Sequence, residues 1–393
     1  MIDSPPFAKP FPSGTTLGIA GGGQLARMMA QSALQLGCQI AILERQADCP
    51  AATLAKHRLV GDWNRLDDLK RLAEVSDVIT LENEFVDADA IAALEAAGVC
   101  VRPNSTTLRL VQDKLIQKQG LADAGLTVPP FKAAANAAEA TAAGESFGWP
   151  VVLKKRRNGY DGKGNRTVRS AGEMPEAWLE LDGGNAELFV EAFCTFTDEV
   201  AVMVTRGVDG ATIAYPVVHT VQRNHVCEEV RAPAPVSADI AHQAIRLALQ
   251  ATESVGMIGS MGVEMFLTAE GELLINELAP RVHNTGHYTI EACDCSQFEN
   301  HVRAVLGWPL GSPRMRQPAA IMINLLGKVH ASGFPLGLDQ ALAVPGAHVH
   351  LYGKTLSAPG RKLGHVTALG ATLEQAFHTA QTSAQHLQFT TPL

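Results

Sequence analysis

The strongest constraint on the fold of this chain is a glycine-rich basic loop within residues 149–166. An apolar strand carries Lys154 at its end and opens into this loop, where three glycines surround Lys163. Glycine lets backbone N–H groups approach phosphate oxygens, and lysine neutralises phosphate charge. No Gly-Lys-Ser/Thr sequence opens a helix after the loop, so it is not a P-loop. The pattern predicts a hairpin lid over a nucleoside triphosphate, although an ordinary surface turn can show the same glycines.

Two acidic residues in neighbouring apolar segments form the second informative feature. Glu264 lies in Gly-Val-Glu-Met-Phe and Glu277 in Leu-Ile-Asn-Glu-Leu, two segments with the pattern of a β-hairpin. A carboxylate between apolar neighbours must be paired, protonated or bound to a cation. Together with Asn276, the two acids supply the oxygen ligands that Mg²⁺ takes when it also binds substrate phosphates. The alternative is that both acids form salt bridges with local arginines.

A polar run follows the second of these acids at once. Arg281, His283 and Asn284 combine a guanidinium fork with two hydrogen-bonding side chains. Such a set suits a small planar anion held beside the metal acids. The simpler interpretation is that Arg281 only neutralises Glu277.

Composition bounds the class of protein. The chain has 393 residues, which predicts two or three domains, and it is 46% hydrophobic and 18% charged. Its net charge of −8 argues against general affinity for nucleic acid. Seven cysteines without a CxxC pair indicate reduced thiols, and no apolar run has the length of a membrane span. We therefore expect a cytoplasmic protein that does not bind membranes.

The order of predicted elements indicates how the chain is organised. Strands over 15–20, 39–43, 78–81 and 99–101 alternate with helices, which predicts a parallel α/β domain ending near residue 110. Helices over 113–124, roughly 137–147 and about 238–254 follow, and the first has Lys114 and Lys118 on one face. Three domains are expected, with bounds 1–112, 113–188 and 189–393.

The first domain also fits a different class of enzyme. Gly21-x-Gly23-x-x-Ala26 lies between a strand and a helix, and Glu44 ends the second strand, as in the dinucleotide fingerprint. That segment alone is compatible with a nicotinamide oxidoreductase. A hydride-transfer enzyme has no need of a second phosphate lid and paired metal acids, so the later chain argues against it. The same helix N-terminus can hold the single phosphate of a nucleotide monophosphate.

The motifs together resemble the ATP-grasp superfamily. The residues that carry this resemblance are Lys114, Lys154, 159–165, Glu191, Glu199, Glu264, Asn276 and Glu277. Further motifs resemble one branch of it, the ligases that carboxylate 5-aminoimidazole ribonucleotide. These are residues 21–28, 156–164, 281–288, Tyr352-Gly353-Lys354 and residues 360–365.

The resemblance implies both a fold and a reaction. The fold is α/β, with an N-terminal Rossmann-like parallel domain, a small glycine-lid domain, and a C-terminal α+β domain that ends in a β-rich subdomain. The reaction is ATP- and bicarbonate-dependent carboxylation of 5-aminoimidazole ribonucleotide through carboxyphosphate, with ATP and Mg²⁺ and commonly a homodimer. Biotin carboxylase and formate-dependent ribonucleotide transformylase are rivals in the same superfamily. A non-catalytic nucleotide-binding regulator could keep the loop but lose the metal acids.

The resemblance also implies a role for each matching residue. Glu264 and Glu277 would bind Mg²⁺, and Arg281, His283 and Asn284 would bind bicarbonate or carboxyphosphate. The implied ATP-binding residues are Lys114, Lys154, Gly159, Tyr160, Asp161, Gly162, Lys163, Gly164, Asn165, Glu191, Ala192, Phe193, Cys194, Glu199, Gln222, Asn276 and Glu277. The implied ribonucleotide-binding residues are Gln24, Leu25, Glu82, Tyr160, Asp161, Lys354, Arg361 and Lys362.

Overall fold

The N-terminal unit is a parallel sheet flanked by helices. The computed structural model describes residues 9–159, 164–223 and 226–391. Its first four strands pair in the order β3-β2-β1-β4, all parallel. The elements are β1 (Thr16–Ala20), α1 (Gln24–Gln35), β2 (Gln39–Glu44), β3 (His57–Val60), α2 (Leu66–Ala73), β4 (Val78–Leu81), α3 (Ala88–Ala96), α4 (Ser105–Gln112) and α5 (Lys114–Asp123).

The strands of this unit differ from the sequence prediction in two ways. The predicted strand over 99–101 is wrong, because only Val101 forms a bridge, to Ile79. Strand β3 was missed because its residues alternate between half-buried and exposed and so form no apolar run. The predicted parallel α/β architecture itself is confirmed.

The glycine-loop hairpin belongs to a separate antiparallel sheet. Its strands pair in the order β5-β8-β6-β7, and α6 and α7 contribute to the hydrophobic core on this sheet. The predicted helix over 137–147 is confirmed. The elements are β5 (Phe131–Ala134), α6 (Ala137–Phe147), β6 (Val151–Lys155), β7 (Asn165–Val168), α7 (Met174–Glu180) and β8 (Leu188–Ala192).

A large antiparallel sheet dominates the rest of the described chain. Its order is β14-β13-β9-β11-β12-β15-β19-β17, with β10 paired to β9. The C-terminal strands β15, β17 and β19 therefore continue the sheet that carries the metal acids. The elements are β9 (Asp198–Arg206), β10 (Thr212–Ala214), β11 (Val218–Arg223), β12 (Val226–Ala232), α8 (Ala238–Ser254), β13 (Gly259–Leu267), β14 (Leu273–Ala279), α9 (Thr289–Ala292), α10 (Gln297–Leu306), β15 (Ala319–Leu326), β16 (Ala331–Ser332), α11 (Leu338–Leu342), β17 (Ala347–Leu351), β18 (Leu356–Ser357), β19 (Lys362–Gly370) and α12 (Leu373–His386).

Helix α10 was not predicted, yet it packs between the N-terminal parallel sheet and the large antiparallel sheet. Phe298, Val302 and Val305 of this helix share one buried cluster with Leu25 and other side chains of α1. Burial of this apolar surface fixes the N-terminal unit against the large sheet. Across the described residues, no helix combines the length and the apolar character needed to span a bilayer.

Candidate active site

The predicted metal acids face each other across β13 and β14. Glu264 and Glu277 are cross-strand partners, and the register shifts immediately afterwards so that Met265 pairs with Ile275. Asn276 is thus the extra residue of a β-bulge, which re-aims side chains locally. Asn276 and Glu277 are both half-buried, whereas Ile275 is fully buried. The bulge lets two consecutive polar residues line one face.

The charges around these two acids favour a bound cation. Burial, followed by the charges of Glu277 and Glu199, raises the pKa of the Glu264 carboxyl to about 8. Lys114 Nζ lies 2.7 Å from Glu277 Oε2. No group of three or more His, Cys, Asp or Glu side chains in the described chain forms a metal cage. Two glutamates and an amide nevertheless fit Mg²⁺, which keeps several positions for water and substrate phosphate.

Glu199 lies on the same face of the large sheet. It is the cross-strand partner of Phe266, two residues from Glu264 on β13. Burial raises the pKa of Glu199, and a hydrogen bond from Gln222 acts in the opposite direction. The structure thus brings together Glu199 and Gln222, two residues that the sequence resemblance assigns to ATP binding.

A buried lysine pair surrounds Glu191 at the end of the lid sheet. Glu191 lies 2.8 Å from Lys118 Nζ and forms a second ion pair with Lys154. Burial lowers the pKa of Lys118 to about 8. Burial by itself disfavours the Glu191 carboxylate, but Lys154 and Lys118 hold its pKa below the usual value. One acid with two lysines leaves net positive charge for an anionic ligand.

The next residues connect the lid sheet to the large sheet. Ala192 and Cys194 are half-buried, and Phe193 is 44% exposed. The Ala192 N–H donates to Pro130 O at 2.8 Å, and the exposed Phe193 ring follows directly after this pairing. An exposed aromatic ring at this junction suits contact with a nucleotide base.

The base of the glycine loop is anchored to α5. Arg156 makes a two-point contact with the buried Asp113, at 3.0 and 2.6 Å, and the Lys114 N–H donates to Arg156 O at 2.8 Å. Beyond this anchor, Gly164 has a φ of 87° and accepts from the Lys155 N–H at 2.8 Å. Asn165 pairs with Lys154 across the hairpin. Tyr160, Asp161, Gly162 and Lys163 lie outside the described residues.

A cavity of about 530 Å³ opens beside this anchor. It is lined by Lys114 and Glu277 of the metal region, by Gly159 of the loop, and by Glu84 of the N-terminal unit. The loop base and Glu277 therefore border one space.

The anion loop, which we define as residues 281–287, connects the metal acids to the N-terminal unit. Arg281 pairs through two nitrogens with Glu84, with Nη2 at 3.1 Å from Oε1. Burial opposes the charge on Glu84, yet Arg281 holds its pKa below the usual value. The contact corrects the simpler interpretation, in which Arg281 would serve only Glu277.

His283 and Asn284 lie in the same buried region. His283 Nε2 is 3.6 Å from Glu264 Oε1, and Asn284 exchanges two hydrogen bonds with Asn324 at 2.9 and 2.7 Å. Burial, with the positive charges of Arg281 and Lys362, lowers the pKa of His283 well below its usual value. His283 is therefore a neutral imidazole beside the metal acids.

The N-terminus of α1 is occupied by carboxylates. Glu82 accepts from the N–H groups of Gly23, Leu25 and Ala26 at 2.6, 3.1 and 3.4 Å, and Glu44 accepts from Gly22 N–H at 2.9 Å. Gln24 starts the helix between them. These four N–H groups are not available to a phosphate, which removes the basis of the nicotinamide interpretation.

The C-terminal basic turn, which we define as residues 353–362, approaches this helix and the anion loop. Lys354 Nζ donates to Lys362 O at 2.8 Å, while Arg361 is exposed. A Cβ atom at Gly353 would lie 3.8 Å from Arg27 of α1. The positive charge of Lys362 lowers the pKa of Glu264, His283 and His287, though burial dominates the net shifts. Residues from the two ends of the chain therefore meet near the metal acids.

Three residues of this region were missed from the sequence as site candidates. Lys118 lies one helical turn after Lys114, and this spacing in the sequence already indicated that it shares a face with that lysine. Glu84 follows a buried strand and could have been noted as a second acid after Glu82. Gln297 has no signal in its own segment, since its importance comes from contacts with the anion loop.

Three family models match successive parts of the chain. They are the ribonucleotide synthetase preATP-grasp domain over residues 14–112, the ATP-grasp domain over 119–298, and the phosphoribosylaminoimidazole carboxylase C-terminal domain over 320–379. With the antiparallel lid sheet and the paired acids, they define an ATP-grasp ligase.

Relatives that match nearly the whole chain identify its family among the ATP-grasp ligases. The N5-carboxyaminoimidazole ribonucleotide synthase of Synechococcus elongatus is 42% identical over 93% of this chain and 93% of that protein. The structure is similar to an ADP complex of N5-carboxyaminoimidazole ribonucleotide synthetase, with TM-score 0.89, 37% identity, and coverage of 95% of this chain and 97% of that chain. The Aspergillus clavatus synthase with ADP and 5-aminoimidazole ribonucleotide gives TM-score 0.87, 34% identity, and coverage of 95% and 98%. The chain belongs to the N5-carboxyaminoimidazole ribonucleotide synthases, ATP-dependent ligases of purine biosynthesis.

Proposed function

We propose that this chain uses ATP and bicarbonate to carboxylate the exocyclic amine of 5-aminoimidazole ribonucleotide. The observation that carries the proposal is that the residues proposed to bind phosphate and metal lie next to the anion loop. Lys114 lies against Glu277, Glu277 pairs with Glu264, and Glu264 neighbours His283. The γ-phosphoryl group of ATP and a bicarbonate ion can therefore meet within one cleft.

The proposed chemistry has two steps. A bicarbonate oxygen attacks the γ-phosphorus of ATP, the bond to the bridging oxygen breaks, and ADP leaves with carboxyphosphate formed. The amine nitrogen of the ribonucleotide then attacks the carbonyl carbon, phosphate leaves with the bonding electrons, and nitrogen loses a proton. Because neither step needs a strong base, positioning and charge neutralisation dominate catalysis. Arg281 stabilises charge on the transferred group, while neutral His283 and Asn284 hydrogen-bond it.

Mg²⁺ is proposed at Glu264 and Glu277, with Asn276 beside them. The raised pKa of Glu264 supports this placement, because two adjacent acids are unfavourable together without a cation. When bound, Mg²⁺ would neutralise charge on the ATP phosphates.

The ATP site is proposed around the lid sheet. Lys114 and Lys154 contact phosphates, residues 191–194 line the adenine, and Glu199 with Gln222 binds the ribose. The two positive charges of Lys118 and Lys154 against the single charge of Glu191 support a phosphate on the lysine side of this cluster. The glycine loop closes on the nucleotide and shields carboxyphosphate from water.

The ribonucleotide is proposed to lie between α1 and the C-terminal basic turn. The carboxylate of Glu82 at the helix N-terminus repels a phosphate, so the 5′-phosphate is assigned to Lys354, Arg361 and Lys362. Gln24, Leu25 and Glu82 then face the sugar and base. We also propose that the chain comprises three domains, 1–112, 113–188 and 189–393, and that the enzyme is a homodimer.

The decisive experiment measures ADP release in bicarbonate buffer with and without 5-aminoimidazole ribonucleotide. Labelled bicarbonate should enter the product only when both ATP and the ribonucleotide are present. Labelled formate in place of bicarbonate separates the transformylase rival, and biotin in place of the ribonucleotide separates the carboxylase rival. ADP release that ignores the ribonucleotide at every concentration would overturn the proposal.

A further inference from the structure

Gln297 makes a two-point contact with the backbone of the anion loop. It is fully buried at the first position of α10. Its Oε1 accepts from the His283 N–H at 2.9 Å, and its Nε2 donates to the His283 carbonyl at 2.7 Å. One side-chain amide thus satisfies both backbone groups of His283, as a neighbouring β-strand would.

The same amide also sets the state of His287. Gln297 Nε2 is 3.2 Å from His287 Nδ1, and an amide NH₂ group can only donate. The Nδ1 atom of His287 must therefore accept, which places the ring proton on Nε2. Burial lowers the pKa of His287 well below its usual value, so the ring stays neutral.

Gln297 is itself rigidly held. Its backbone N–H donates to Thr289 Oγ1 at 2.9 Å, and its carbonyl accepts from Ser260 Oγ at 3.0 Å. A Cβ atom at Gly286 would lie 2.6 Å from Gln297 Cδ, so glycine leaves the room that the amide needs. Because the backbone of Gln297 is fixed by these contacts and its amide is fixed by His283, the buried side chain has one available position.

We propose that Gln297 is a positioning residue for the reaction, holding the anion loop so that His283 and Asn284 face the transferred carbon. The inference rests on the proposed role of that loop. Gln297 reaches the reacting atoms only through His283, whose imidazole it holds beside Glu264. Such support matters because a displacement of about 1 Å can cost on the order of 100-fold in rate.

The same helix supplies a matched control. Asn300 is also fully buried, and its amide makes the same two-point contact with the backbone of Gly311, at 2.7 and 3.2 Å. Gly311 lies in the connection from α10 to β15, outside the anion loop. Substitution of either amide removes equivalent hydrogen bonds, but only Gln297 supports the proposed site.

The test compares Gln297→Met with Asn300→Leu in the full chain. Both should lower the midpoint of thermal unfolding similarly. Gln297→Met should lower kcat/KM for bicarbonate about 100-fold relative to Asn300→Leu, with the KM for ATP unchanged. Equal kinetic losses in the two variants, or a KM for ATP that rises by as much as kcat/KM for bicarbonate falls, would overturn the positioning role.

Two further variants keep the outcome decisive. Gln297→Glu preserves shape and, because a buried carboxyl is protonated, keeps the acceptor for the His283 N–H and one of the two donors, so its bicarbonate kcat/KM should fall between wild type and Gln297→Met. If Gln297→Met does not fold, Gln297→Glu provides the test in its place. His283→Ala tests the loop itself: unchanged bicarbonate use there refutes the proposed function of the loop. A loss in His283→Ala without one in either Gln297 variant refutes only the inference about Gln297.

Discussion

At the residue scale, the cleft is organised by unbalanced charge. Three acids, Glu199, Glu264 and Glu277, face one side of the large sheet, and Lys114 pairs with only one of them. Around Glu191 the imbalance has the opposite sign, with two lysines on one carboxylate. A metal ion at the first group and phosphates at the second would each lower the electrostatic free energy.

Replacing Glu277 with glutamine should remove a charged metal ligand while preserving shape. We expect turnover to fall by about two orders of magnitude, as when one electrostatic contact to a transition state is lost. Turnover is measured against Mg²⁺ concentration, with Glu270→Gln in the exposed turn of the same hairpin as the control. A folded Glu277→Gln enzyme with near-normal turnover at limiting Mg²⁺ would exclude this metal site.

Arg281→Ala should impair bicarbonate use most. The expected loss is about 2 to 4 kcal/mol of transition-state stabilisation, taken from the ratio of kcat/KM values for bicarbonate. The variant also leaves Glu84 buried without its partner, which lowers stability. The double variant Arg281→Ala with Glu84→Gln should regain thermal stability but not bicarbonate use. Recovery of both would assign Arg281 a structural role alone.

At the scale of elements, the lid hairpin combines a fixed base with a glycine-containing loop. Asp113 caps α5 and also binds Arg156, so the start of α5 and the base of the loop are one unit. Gly164 and Asn158 both have positive φ, at 87° and 62°. The hinge of any closing motion should therefore lie beyond Arg156.

Hydrogen exchange tests this expectation. ATP with Mg²⁺ should slow exchange of the amides at 157–159 and 164–165, because closure over the nucleotide protects them. The turn around Asp209 and Gly210 serves as an internal control and should not change. Equal protection of the loop amides with and without nucleotide would indicate a rigid turn.

At the scale of the whole molecule, one hydrophobic cluster assembles the proposed ribonucleotide site. Leu25 of α1, Val282 of the anion loop and Tyr352 before the basic turn all belong to it. Their packing brings together segments that lie more than three hundred residues apart in the chain. Substrate binding should therefore depend on the first and the last of these segments at once.

Lys354→Ala and Arg361→Ala should each weaken binding of the ribonucleotide by about 1 to 3 kcal/mol, the range for a charge-assisted hydrogen bond. ATP affinity should hardly change. Calorimetry with each ligand measures both, and Arg314→Ala, an exposed arginine paired with Asp294, is the control. A fall in ATP affinity with ribonucleotide affinity intact would move the basic turn to the nucleotide site.

Local patterns in the sequence were sufficient for many of the elements and for the proximity of Glu264 and Glu277. Glu264 and Glu277 lie on adjacent strands of one hairpin, so strand alternation and a short turn already place them together. The helix over 238–254 was predicted in full because its Ser237 cap and apolar spacing are both local. Lys114 and Lys154 could be named because each stands at a recognisable end of an element.

Tertiary structure alone decided the contacts between distant segments. Arg281 and Glu84 are 197 residues apart, and neither segment shows that the other is near. Gln297 looks like any polar residue at the start of a helix, yet it holds the anion loop. Residue type and periodicity report which face of an element is buried, whereas the packing of whole elements decides which side chains meet across that buried surface.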